Sequence, residues 1–287
     1  MATEKITHEQ VHQELDARFF LEYALFSGSF RHYVAASLEE SFRSDPNDLH
    51  RRFFVLGLFR EEHAAYEDMG AILEAFLRFH LGELQHPVEG VLRFKDNLVI
   101  LDTLFSRRDI KSADDLYDAL GLGKLIPSDW NSFYPGIDCE KALRRMCRFI
   151  FIDCKDNQKR HGISAYNKLK HGLTLVPYGK RYDSNLPDAP AVLIQNPQQN
   201  SPNPYALVAI PMDDSSLTER SRIVEFIQST LRALAALYVI WRYPAEPKAL
   251  KDVDNATQLF NVMPLIGVRE FLHQLSERPE VGGPNAP

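Results

Sequence analysis

The chain has 287 residues, 45% of them hydrophobic and 25% charged, proportions that belong to a folded globular protein and exclude an intrinsically disordered one. Its three cysteines, Cys139, Cys147 and Cys154, are too far apart along one helical segment to bridge each other, and no Cys-x-x-Cys or paired Cys/His spacing for structural zinc occurs. The net charge of −6 is uneven: residues 141–181 carry eleven Lys/Arg against two acids, a local +9 that leaves −15 on the remainder, and such a basic segment attracts phosphates.

In chain order, residues 1–10 are polar and lack the apolar core of a secretory signal. A first helix is expected from Thr7, where Thr-x-x-Gln forms a capping box, to about residue 26. Ser27-Gly28-Ser29 breaks it before a second helix over residues 30–42, and the cluster at 44–48 marks a turn. Phe53, Leu56, Phe59, Tyr66, Met69, Leu73 and Phe76 recur in helical register and predict a long helix over 49–81. Pro87 opens another, to about residue 106, and a short helix follows Ser112. Residues 126–136 read as a Pro/Gly-containing loop. Asp138 caps a further helix that runs, bent near Gly162, to His171.

After Gly172 the pattern changes to three short strands at 173–176, 191–195 and 205–210, separated by Asn/Pro-rich loops. A long helix follows from Ser215 or Ser216 to Trp241, interrupted by Glu225, Gln228 and Arg232 and therefore a buried amphipathic helix instead of a membrane span. A last helix covers about 256–275. The expected fold is mainly α, a helical bundle with a small β-sheet inserted between two long helices. Helices within 1–46 pack on a domain spanning 47–275, whose insertion lies at about 173–210, and the tail 276–287 is expected to be disordered. The expected location is the cytoplasm, without membrane association.

Three local patterns touch on chemistry. His8-Glu9-Gln10-Val11-His12 matches the HExxH zinc pattern, but sits where no preceding sheet can form, and reads as the exposed first turn of a helix. Arg60-Glu61-Glu62-His63, with Tyr66, Glu67 and Asp68, lacks the paired Glu-x-x-His spacing of a di-metal bundle and reads as a polar helix face. Gly121-Leu122-Gly123-Lys124 has the wrong spacing for a phosphate loop and reads as a helix C-cap. No metal and no cofactor are implied.

The stretch from Arg160 to Gly172 combines several features. Asn167 and His171 lie one turn apart on one helix face, with Arg160 and Ser164 on the same stripe. Lys168, Lys170 and His171 crowd the last turn, where the helix dipole favours cations, and Gly172 is placed to end the helix. The same arrangement also serves simply to terminate a helix.

Tyr166-Asn167-Lys168-Leu169-Lys170-His171 resembles the Arg-Asn-x-x-x-His signature of HEPN domains, helical bundles common in toxin–antitoxin, phage-defence and CRISPR ribonucleases. Asn167 and His171 match the family's Asn and His, whereas Tyr166 stands where the family has its catalytic arginine. The resemblance, covering about 49–243, implies a homodimer in which paired motifs cleave RNA without metal. His171 would be the general acid/base and Asn167 would orient the substrate or the imidazole. Tyrosine supplies no guanidinium for the phosphate. Arg160, roughly 16 Å from His171 along a straight helix, and Lys168 and Lys170 are the remaining cations, and together with Tyr166 they are the expected phosphate and RNA contacts. Two other readings stand beside a ribonuclease: a non-catalytic module holding RNA, a nucleotide or a protein partner at the same helix end, and an assembly subunit offering a strand edge.

Overall fold

The computed structural model describes residues 20, 28–92, 101–126, 128, 130–156, 163–170, 175–195, 205–242 and 268–277. Over these residues the chain is mainly α with one small antiparallel sheet, as the periodicity predicts. Helix α1 (Gly28–Ser44) turns into α2 (Asp48–His80) through Asn47, whose side chain accepts from the backbone N–H of Leu49 and His50 at 3.0 and 3.2 Å. That satisfies two of the donors every helix start leaves open. The 33 residues of α2 span about 50 Å, making it the long axis of the core.

Five short helices follow: α3 (Pro87–Leu92), α4 (Leu101–Arg107), α5 (Ala113–Ala119), α6 (Leu122–Leu125) and α7 (Trp130–Phe133). Gly121, between α5 and α6, holds φ at 64°, the left-handed conformation expected of a glycine ending a helix. The run from Pro87 is helical at both ends, as α3 and α4, with 93–100 outside the described residues. The loop expected at 126–136 contains α7, because Trp130 is buried and its ring N–H donates to the Ile137 carbonyl at 2.9 Å. Asp138 caps α8 (Cys139–Arg148), accepting from the Lys141 N–H at 3.0 Å, and α8 passes directly into a π-helical segment, Phe149–Cys154.

Helix α9 (Ile163–Lys170) precedes the sheet β1 (Leu175–Val176), β2 (Ala191–Gln195) and β3 (Tyr205–Ala209), antiparallel in that order with Val192 opposite both Leu175 and Val208. The chain then enters α10 (Asp214–Arg242), started by Asp213, whose carboxylate accepts from the Ser216 N–H at 2.9 Å. The last element among the described residues, α11 (Val268–Glu277), runs on through Ser276 and Glu277. The expected helix at 7–26, with its HExxH pattern, lies outside the described residues except for Phe20; so do 256–267 and the tail from 278.

The core forms where α10 lies against α1 and α2. Leu58, Met69, Leu73 and Phe76 of α2 share it with Val224, Ile227, Leu231 and Tyr238 of α10, all buried. Phe20, Phe76 and Tyr238 meet edge-on with centroids 5.0 to 5.6 Å apart, the arrangement aromatic quadrupoles favour. The sheet is fastened to the start of α2 by Arg52. Its guanidinium donates to Asp48 at 2.8 Å, to Asp188 at 3.1 Å and to the Pro177 carbonyl at 3.0 Å, and lies 4.2 Å over the Tyr178 ring. α9 is thereby enclosed between β2 and α2, and this placement decides which of its side chains reach the surface.

Candidate functional site

Along α9, Ala165 and Tyr166 are buried, Leu169 is half-buried and Asn167 is exposed. The Tyr166 ring stacks on His63 of α2, with centroids 5.1 Å apart and planes 22° from parallel. Its hydroxyl donates to Glu67 at 2.8 Å. The His63 and Phe59 rings have centroids 4.2 Å apart, and His63 donates from Nδ1 to the Phe59 carbonyl at 3.0 Å, which sets its tautomer. Burial, reinforced by the bond to Glu67, pushes the Tyr166 phenol up from its ordinary range, so it remains a neutral donor. Tyr166 is thus an anchor between α9 and α2.

The polar stretch Arg60 to Asp68 is partly turned into the fold, with Arg60 exposed and Glu61, Glu67 and Asp68 half-buried. Glu62, His63 and Tyr66 are buried, because α2 is covered by α1, α9 and α10 and its polar residues find partners on those helices. Glu62 forms a buried ion pair with Arg220 of α10, whose guanidinium also lies 5.1 Å over the Phe59 ring. Arg31 of α1 binds Asp68 and, at 3.1 Å, Glu61. Among the described residues no group of three or more His, Cys, Asp or Glu could hold a metal ion.

Several cations of the basic segment have partners within the chain. Arg144 is held by Glu140 and Asp114, each at 2.9 Å. Arg145 donates to the carbonyls of Leu275 and Ser276 at 2.5 and 3.0 Å, closing the C-terminal end of α11. Lys155 stands 3.9 Å from Asp102, and Arg181 stacks on Tyr178 at 4.1 Å. Lys168 and Lys170 occupy the end of α9. Arg160 and His171 lie outside the described residues.

The structure therefore joins Tyr166 to His63 and Glu67 and leaves Asn167 at the surface. Neither His63 nor Glu67 is marked as a partner by sequence spacing, since Glu67 is 99 positions from Tyr166. No protein-family model, curated protein or solved structure matches the chain.

Proposed function

We propose that this chain is a HEPN-like RNA-binding protein of the prokaryotic defence or toxin–antitoxin type, which holds RNA at the end of α9 and acts as a homodimer. The observation that carries the reading is the division of α9 into two faces. Tyr166 is turned inward onto His63 and Glu67, and the neighbouring Asn167 is exposed. A buried phenol offers the phosphate no charge, so contact with the backbone falls to Lys168, Lys170 and Arg160. These cations position a strand electrostatically without reading its sequence.

Exposure of Asn167, one turn before His171 in the sequence, favours a second reading of the same site, a metal-independent endoribonuclease. His171 would move the proton of the attacking 2′-hydroxyl and Asn167 would orient the imidazole or the substrate. Lysine would then carry the charge stabilisation that a guanidinium fork provides more effectively.

Fluorescence anisotropy with a labelled single-stranded RNA in EDTA tests both readings. Binding is expected to weaken with salt. The double variant Lys168→Gln/Lys170→Gln is expected to lower the slope of log affinity against log salt by about 1.4, from roughly 0.7 per neutralised phosphate contact. Affinity and slope unchanged by that variant would overturn the proposal. Gel analysis of the same samples separates the two readings: cleavage lost in His171→Ala assigns the nuclease, and intact RNA in every sample assigns binding alone.

A further inference from the structure

β3 is the outer strand of the sheet, with β2 on one side of it and no strand on the other among the described residues. The Ile210 N–H donates to the Pro190 carbonyl at 2.8 Å, which fixes the phase of the ladder. Ala206 and Val208 then exchange hydrogen bonds with Ile194 and Val192, and the N–H and C=O of Tyr205, Leu207 and Ala209 point outward. Among the described residues no backbone partner meets the outward groups of Leu207 and Ala209. Alternation along the strand turns Ala206 and Val208 to the core and Tyr205, Leu207 and Ala209 to the outer face, where the Tyr205 side chain leaves its residue 59% exposed.

Such an edge is a template for another strand, and chains that must stay apart blunt it with charge, proline or a bulge. Tyr205 to Ala209 carry none of these. The other edge of the sheet is unlike it: β1 has two residues, and the Pro177 carbonyl that follows is taken by Arg52. A sheet that can grow only at β3 ends after one added copy, as a closed pair and not a fibre. The strand that fits this edge is its own copy. Run antiparallel and centred on Leu207, a second β3 sets Leu207 opposite Leu207, Tyr205 opposite Ala209 and Ala206 opposite Val208. The outward donors and acceptors then fall into register, a larger side chain meets a smaller one in each flanking pair, and no charge faces its like.

We propose that two copies of the chain join by their β3 edges, antiparallel about a two-fold axis at Leu207, into one six-stranded sheet. This names the interface of the homodimer proposed above and rests on that part of the reading, not on RNA. Each α9 packs on its own β2, so the axis, perpendicular to the joined sheet, sets both helices on the same side of it. The two β2 strands are then three strand spacings apart, about 14 Å.

Sedimentation equilibrium of the full chain between about 1 and 200 µM tests it, and the native chain is expected to dimerise within that range. Leu207 lies outside the core, so Leu207→Lys and Leu207→Glu should keep the native melting curve by circular dichroism. Each variant alone sets two like charges face to face on the axis and should raise the dimer Kd by at least about tenfold. An equimolar mixture of the two variants should regain the dimer, because opposite charges then meet across the axis. Loss of folding would not be repaired in this way, and neither would a defect at a position that does not face itself. A native dimer that both single variants leave intact, or that the mixture fails to restore, would overturn the β3 interface while the homodimer stands. A native chain monomeric over the whole range would overturn both and leave the edge to a strand of another protein.

Discussion

Replacing Glu62 with glutamine keeps the volume of the side chain and removes its charge, leaving the Arg220 guanidinium buried beside a neutral amide. Glu62 is 1% exposed and Arg220 5%, so water cannot replace the lost carboxylate. Breaking one side of such a pair costs about 3–5 kcal/mol. The Phe59 ring under the guanidinium survives the substitution and retains roughly 0.5–2 kcal/mol of cation–π attraction, which places the expected cost near the lower end, about 3 kcal/mol. Arg220→Met exposes the converse problem, a buried carboxylate without its cation, and should cost about as much. The double variant Glu62→Leu/Arg220→Met removes both charges and fills the space with apolar atoms, so its stability should lie within about 1–2 kcal/mol of the native chain. Urea unfolding at pH 7 measures all four proteins. With a slope near 3 kcal/mol/M, each single variant lowers the midpoint by about 1 M and the double variant by far less. Single substitutions costing under about 1 kcal/mol, or a double variant destabilised at least as much as either single one, would refute the reasoning that these two residues stabilise one another in a dry interior.

Three further outcomes follow from the same packing. Tyr166→Phe removes the donor to Glu67 but keeps the ring on His63, so it should cost about 1 kcal/mol in urea unfolding and leave RNA affinity unchanged; loss of RNA binding would give the hydroxyl a direct role. His32 of α1 is buried, and burial, then the charge of Arg232 on α10, lowers its pKa, opposed by Glu39 on its own helix. The unfolded chain therefore takes up this proton first. Stability should fall as pH drops below about 6.5 and level off below the folded-state pKa, and His32→Leu should flatten that slope in denaturation curves collected between pH 7 and 5. Burial raises the thiols of Cys139, to about 12, and of Cys147 and Cys154, so the native protein should show no reaction with a disulfide reagent at pH 8 and should release all three thiols when unfolded in guanidinium. Labelling of any of them faster than global unfolding contradicts that assignment.

The elements legible in the sequence were those whose signals are local. The long helix expected at 49–81 is found at Asp48–His80 because its apolar register and its Asn47 cap act within a few residues of each other. The three strands follow the change from period 3.6 to period 2 after Gly172. The π-helical segment was not legible, since Phe149, Ile150 and Cys154 suit an α-helical face as well. The ion pair that turns Glu62 inward has its other half 158 positions away, and only pairs within a helix reveal themselves by spacing. At the candidate site the residue types in the motif were readable, but the direction in which Tyr166 points depended on His63 and Glu67 being placed opposite it by the tertiary fold. Within the basic run, spacing likewise does not show which cations have partners, since Arg144 meets Asp114 and Arg145 the carbonyls of α11.

The order of the elements along the chain bears on how the protein acquires its shape. α2 and α10 make much of one core, yet the short helices, α8, α9 and the entire sheet lie between them in sequence. During synthesis α2 emerges with its apolar face and Glu62 long before Arg220 arrives to meet them. Contacts that close over such separations slow folding, whereas lengthening a loop already this long costs little, about 0.6 kcal/mol for each doubling. Residues can thus be gained between β1 and β2 over generations with little loss to the core, although β2 itself contributes Val192 and Ile194 to it, and the nascent chain must meanwhile be kept from using the uncovered face of α2 for association with its neighbours.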